Sequence, residues 1–184
     1  VGERADAVRN RAAVLRAAED LFRRDDLEHV TLARIADAAG VGKATVLRRF
    51  GDLTGVVEAV IAPRVTALRD ALRTGNPPLG PGGRPPERLH AYLDALLDFV
   101  LDNRALIRAL ENRRPHAYYA NPASRFWIDE LGRRIHAAHP DADADYLAHA
   151  VFTALRADVI DYLRTDRRMS TDRIRAGLHA LVTR

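Results

Sequence analysis

The chain has 184 residues, no cysteine, and a formal charge of +4 from 29 basic and 25 acidic side chains. That length holds one compact domain or a small module joined to a larger one, and the missing thiols exclude disulfides, thiolate metal centres and cysteine nucleophiles while fitting a reducing cytoplasm. No apolar run approaches the ~20 residues of a membrane span, no signal peptide is visible, and Val1 in place of methionine points to a trimmed or missing N-terminus.

The expected fold is all-α. Val14, Leu15, Ala18, Leu21 and Phe22 mark the inner face of a first helix. Thr31 predicts a helix start, because its hydroxyl can accept from an otherwise unpaired backbone N–H. Leu32, Ile35, Ala36 and Ala39 then recur at the spacing of one buried helical stripe. Gly40 follows, where a left-handed residue closes a helix without a Cβ penalty. Ala36 is small enough for a second helix to cross close by, and Val41, Val46 and Phe50 supply that helix's apolar underside. Two short helices joined by a glycine turn have the layout of a helix-turn-helix, whose second helix enters the DNA major groove.

Charge in this segment is placed locally. Lys43, the only lysine of the chain, joins Arg48 and Arg49 between Gly40 and Gly51, an interval without an acid. Lys43 and Thr45 fall in the first turn of the second helix, where recognition helices touch base edges. An amphipathic surface helix with a solvated basic face would carry similar charge. It would not explain the capping threonine, the Ala36/Gly40 pair and the apolar underside together. Residues 1–62 hold ten basic and ten acidic side chains, so the net +4 lies entirely in 63–184. Affinity for DNA would then depend on a few placed contacts and on two copies binding together.

A fourth helix is expected from about Leu53 to Leu72, kinked or interrupted at Pro63. The stretch from Gly75 to Pro86 holds five of the nine prolines and four of the eleven glycines, which predicts a mobile linker. The expected division is a DNA-binding domain over 1–52, a connector over 53–72, a linker over 73–86 and a helical bundle over 87–184. In the bundle, a long helix is expected from about Glu87 to Asn112, with Leu89, Leu93, Leu96, Leu97, Val100, Leu101 and Leu110 apolar. Pro115 and Pro122 bracket His116, Ala117, Tyr118 and Tyr119, and further helices are expected over about 125–138, 142–165 and 171–183.

Leu147, Val151, Leu155, Val159 and Leu163 repeat every four residues, with Phe152, Ile160 and Tyr162 beside them, and Ile174, Leu178 and Leu181 mark one face of the last helix. These residues can close the core of one chain. Two terminal helices with wide apolar faces also suit a twofold four-helix interface, which makes Leu147, Val151, Leu155, Val159 and Tyr162 dimerisation candidates together with Ile174, Leu178 and Leu181. His136, His139, Asp141, Asp143, Asp145 and His149 can be read as a metal cluster. The acidic run lacks the glycine and glutamate of a calcium loop, with Tyr146 and Phe152 in their places, and acids after Pro140 more simply begin a helix. No Ser/His/Asp spacing or glycine-rich phosphate loop occurs. No catalytic residue, metal or cofactor is expected.

From about residue 8 to 62 the chain resembles the DNA-binding domain of the TetR family of transcriptional regulators. The first helix carries the A-x-x-L-F element as Ala18-Glu19-Asp20-Leu21-Phe22. A segment close to A-G-V-S-K-x-T-L-Y-x-x-F is present as Ala39 to Phe50. Four departures stand out: Gly42 for a serine, Leu47 for a tyrosine that commonly meets the DNA backbone, Asp52-Leu53 where many members have lysine, and Asp26 for a glycine. The first three remove positioning contacts, which Arg34, Arg48, Arg49 and the arm residues Arg4, Arg9 and Arg11 could replace.

The resemblance implies contacts to double-stranded DNA from Thr31, Arg34, Gly42, Lys43 and Ala44, and from Thr45, Leu47, Arg48 and Arg49. It implies a homodimer on a palindromic operator and an effector pocket inside the C-terminal helices. Tyr92, Phe99, Tyr118, Tyr119, Trp127 and Phe152, with Phe126 nearby, are the aromatic candidates, and Arg156 could orient a polar group, as could Arg104, Arg108, Glu111 or His116. Ordinary core packing is the other reading of the same aromatics. The function so implied is a cytoplasmic repressor released by a small molecule. The alternatives are an architectural DNA-binding protein without an effector, which the neutral N-terminal third disfavours, and a helical metal-dependent enzyme.

Overall fold

The computed structural model describes residues 2–24, 29–111, 119 and 121–183, with side chains from Asp6 onward; Asp26, His116, Tyr118 and the Arg4 side chain lie outside the described residues. The described residues form α1 (Gly2–Arg24), α2 (Leu32–Ala38), α3 (Lys43–Phe50), α4 (Leu53–Thr74), α5 (Pro85–Asp102), α6 (Arg104–Glu111), α7 (Pro122–Ala138), α8 (Ala144–Ala154), α9 (Ala157–Thr165) and α10 (Thr171–Val182). Among the described residues there is no strand, and no helix is long and apolar enough to cross a membrane. The chain divides into one unit of Val1–Arg64 with Ala105–Arg113 and a second of Val65–Arg104 with Arg114–Arg184.

In the first unit, α1 packs on α2 and α2 on α3. Val14, Ala18 and Phe22 of α1, Ile35 and Ala36 of α2, and Val46 of α3 are buried. Each larger side chain among them gains about 1.5–3 kcal/mol from leaving water. Val56, Val57, Val60 and Ile61 of α4, and Leu106 and Ile107 of α6, are buried as well. Glu19 of α1 accepts from Arg64 of α4 and from Arg23, the latter at 2.6 Å. Burial pushes the Glu19 carboxyl up, but those two guanidinium partners outweigh it and hold the acid below its usual range.

Pro63 is exposed and α4 runs through it without interruption, two residues past the expected end. The expected helix over 87–112 is two helices. Asn103 turns the chain between α5 and α6, its N–H bonding Val100 O at 3.2 Å. The expected helix over 142–165 likewise breaks at Leu155 and Arg156. Arg156 has an extended ψ of 140°, and the Asp158 carboxylate accepts from the Arg156 guanidinium at 2.8 and 3.0 Å and from the Val159 N–H at 2.8 Å. A carboxylate at that end suits the start of α9.

The second unit is built on α5, which packs against α7, α9 and α10, while α8 packs against α7 and α10. Leu89, Tyr92, Leu93, Leu96, Leu97 and Val100 form the buried stripe of α5. The Pro/Gly-rich stretch belongs within this unit, not between units. Arg134 of α7, 5% exposed, donates to Leu79 O at 3.0 Å and Arg88 O at 2.8 Å and pairs with Glu130 at 2.7 Å. The expected mobile linker is therefore tied at its centre by a buried guanidinium.

Candidate nucleic-acid interface

Local chemistry sets the two helices of the interface. The Thr31 hydroxyl accepts from the Arg34 N–H at 3.2 Å, and Val30 and Ile35, which flank this cap, are both buried as in a hydrophobic staple. At the other end of α2, Val41 N–H bonds Ala36 O at 3.0 Å and Gly40 N–H bonds Asp37 O at 3.1 Å, with Gly40 left-handed at φ 65°. That pair of bonds is a Schellman closure, and it turns the chain into α3. Val46 buries the inner side of α3, while Lys43, Ala44, Leu47 and Arg48 are exposed and Thr45 is half-buried. Of the two residues expected at base edges, Lys43 thus lies on the outward part of this short helix and Thr45 is partly covered.

Other expected contacts have partners within the chain. Arg49 donates to the Ala7 carbonyl of α1, and the Arg11 guanidinium sits 5.9 Å from the Phe50 ring centre. Both fasten the start of α1 to α3. Arg34 donates to His29 O at 2.8 Å, and Arg9 pairs with Asp6. Asp52, read from sequence only as a missing lysine, accepts from Gly55 N–H at 3.0 Å and so caps α4. An acid directly before the apolar start of a helix was the signal for it. Gly55 was also missed: a Cβ there would lie 1.9 Å from the Phe50 carbonyl oxygen. The end of α3 is seated directly against the first turn of α4.

Residues 14–60 match the family model described as bacterial regulatory proteins, tetR family. An HTH-type transcriptional regulator of Staphylococcus aureus (strain USA300) is 29% identical over 115 residues, 59% of this chain and 57% of that protein. Residues 14–60 are a TetR-family domain. The chain spans little more than half the length of that relative. A transcriptional regulator from Saccharomonospora viridis in complex with choline superposes with a TM-score of 0.67 at 20% identity over 94% of each chain. NalD, the secondary repressor of the MexAB-OprM multidrug efflux pump in Pseudomonas aeruginosa, superposes with a TM-score of 0.61 at 20% identity over 97% of this chain and 95% of its own. The fatty acid degradation regulator FadR from Bacillus halodurans gives 0.66 at 13% identity over 96% and 93%. At such identities the likeness is one of fold.

The helices that follow the TetR-family domain carry the remaining candidates. Tyr92 is fully buried, its hydroxyl donates to Trp127 O at 3.1 Å, and Arg134 lies 4.9 Å from its ring centre. Burial, with Glu130 nearby, raises the Tyr92 phenol well above its ordinary range, so it stays a donor. Trp127 meets Phe126 at 4.8 Å and Phe99 at 6.2 Å, and Arg69 caps the group 4.4 Å from the Phe126 ring centre. Tyr119 bonds Thr153 at 2.9 Å and meets Phe152 edge-on at 6.4 Å. Arg156 is engaged by Asp158. The structure therefore gathers Phe99, Trp127 and Tyr92 in one cluster and Tyr119 with Phe152 in another.

Two concavities in the same unit include, of the effector-pocket candidates, Arg104 alone. One, of about 600 Å³, runs from Ala138 to Asp143 and includes Tyr146, Leu147 and Leu181. The other, of about 480 Å³, has Arg104, Asp161, Arg164, Arg168 and the start of α10 in its wall. Of the dimerisation candidates, Val151, Leu155, Ile174 and Leu178 are already enclosed within one chain. Leu147 and Val159 are half-buried, and Tyr162 and Leu181 stay exposed along with Tyr146, which sequence reasoning had not singled out for this role. In the acidic run, Asp143 caps α8 through the Tyr146 N–H at 3.1 Å, and His149 bonds Asp145 O at 2.9 Å. Among the described residues no three such side chains come together in a way that could hold a metal ion.

Proposed function

We propose that the chain is a sequence-specific DNA-binding regulator of transcription, acting in the cytoplasm as a homodimer on a palindromic operator. The observation that carries this reading is the outward part of α3, where Lys43, Ala44, Leu47 and Arg48 are exposed on a helix held by a threonine cap and a glycine closure. A single eight-residue helix reads few base pairs, so two copies set about one DNA turn apart, ~34–36 Å, supply the specificity. The apolar side chains left outward on α8, α9 and α10 suit the partner copy. Selection of bound sequences from a random DNA pool tests the reading. A palindrome should be enriched by the full chain and lost with Lys43→Ala; an unstructured pool after selection would overturn it.

The regulatory step we propose is repression relieved by a small, largely apolar effector. The cluster of Phe99, Phe126 and Trp127 under the Arg69 guanidinium supports it, since it sets aromatic rings beside a charge. The first turn of α4 is seated against the end of α3, so a shift of α4 would reach α3. The effector must favour the conformation with the wrong head spacing to act. Trp127 is the only tryptophan, so its emission should change with any compound that releases the operator. Release with unchanged emission would place the effector elsewhere.

A further inference from the structure

Leu47 is the exposed side chain of α3 whose chemistry the reading above leaves unused. It keeps 51% of its surface in solvent on a segment that carries three cations and no acid between Gly40 and Gly51. A single exposed leucine is ordinary on a protein surface. This one shares a ridge with exposed Lys43, four residues earlier, and exposed Ala44, three residues earlier. Helical side chains lean toward the preceding turn, so Leu47 lies over the turn that Lys43 and Ala44 occupy. The face presents an ammonium beside two apolar side chains.

Leucine has no hydroxyl with which to bond a phosphate, so an apolar target must be found in the groove. On the floor of the major groove only one group is apolar, the 5-methyl of thymine, whereas lysine and arginine suit the O6 and N7 acceptors of guanine. We propose that Leu47, with Ala44 beside it, is a specificity-determining residue that packs on the 5-methyl group of one thymine in each operator half-site, adjacent to a base pair engaged by Lys43. The inference rests on α3 being the helix that enters the groove, and adds the identity of a base it reads.

The test uses the full chain and the operator recovered by selection. Each thymine of the half-site is replaced in turn by deoxyuridine, which removes the methyl group and leaves every hydrogen-bonding group in place. One position per half-site should then bind about fourfold more weakly, the factor that one buried methyl group is worth. Leu47→Ala should bind the thymine operator more weakly and distinguish it from the uracil operator by less than about twofold, with an unchanged melting curve because Leu47 is exposed. Equal binding of uracil at every position by the unaltered chain would overturn the proposal and leave the regulator reading standing. So would a Leu47→Ala variant that still prefers thymine, since leucine would then be meeting sugar or phosphate. If the unaltered chain enriches no sequence, the groove reading and this inference fall together.

Discussion

Gly42 opens α3 with an extended backbone, φ −67° and ψ 140°, and no side-chain hydrogen bond to the first amides. A Cβ there would meet nothing nearer than Thr45 Oγ1 at 3.9 Å, so serine fits and can cap. Glycine is only a few tenths of a kcal/mol poorer than serine at such a position. Gly42→Ser should therefore stabilise the chain by a few tenths of a kcal/mol in urea titration, and a loss of stability would show that the cap geometry is wrong. Gly55 is the opposite case. Its Cβ would collide with a backbone oxygen at 1.9 Å, which neither α3 nor α4 can move cheaply. Gly55→Ala should cost about 1–3 kcal/mol and weaken DNA binding by displacing α3. A neutral result in the same titration would mean that the two helices are not in contact there.

Two elements of the second unit depend on buried or half-buried charge. Arg134 satisfies two backbone carbonyls and Glu130 at once, and through Leu79 it ties the Pro/Gly stretch to α7. Burial raises the Glu130 carboxyl, yet the Arg134 and Arg133 guanidinium groups bring it below the usual range. Arg134→Met should cost about 3 kcal/mol, because the carbonyls and the carboxylate are left behind. Faster amide hydrogen exchange between residues 75 and 84 should accompany it, and unchanged exchange there would disprove the tie.

Helix α10 is held to α5 by His179, 2.7 Å from Asp94, and by Arg175 on Asp94 at 3.1 Å and Asp98 at 2.7 Å. His90 stacks on His179 with ring centres 4.3 Å apart. Burial and the neighbouring His179, with His139 further off, outweigh Asp94 and hold His90 below its ordinary 6.5. The folded chain thus binds fewer protons at His90 than the unfolded chain. Nothing is lost above the ordinary value, and stability falls as pH drops through it toward the lower folded value. Melting temperature should decline from pH 7.5 to 5, about as the unfolded histidine titrates, and His90→Gln should flatten the decline. An equal decline in the variant would assign it to other groups.

At the scale of the whole molecule, burial within one chain limits which apolar residues a second copy can reach. Val151, Leu155, Ile174 and Leu178 are committed to the core, whereas Tyr146 is 70% exposed, Tyr162 52% and Leu181 48%. In a twofold dimer each substitution is felt twice. Leu181→Glu should raise the dimer dissociation constant at least tenfold, about 1.4 kcal/mol, in sedimentation equilibrium. Operator affinity should fall with it while the monomer's melting temperature holds. A variant that stays dimeric would move the interface to another face.

The start of α2 at Thr31, its closure at Gly40 and the buried positions Ile35, Ala36 and Val46 were legible in the amino-acid sequence. Caps and helical stripes depend on residues only a few positions apart, and each such signal lies inside a short window. The TetR-type motif was legible for the same reason, since its residues run on without a gap. Other features needed the tertiary structure. Arg49, expected at DNA, also bonds a carbonyl 42 residues away, and Arg134 holds one 55 residues away. The helix breaks at Asn103 and Arg156, and the division of apolar residues between core and surface, likewise depend on packing. A side chain's periodicity shows that it can be buried; only the neighbours that the fold brings to it decide by what.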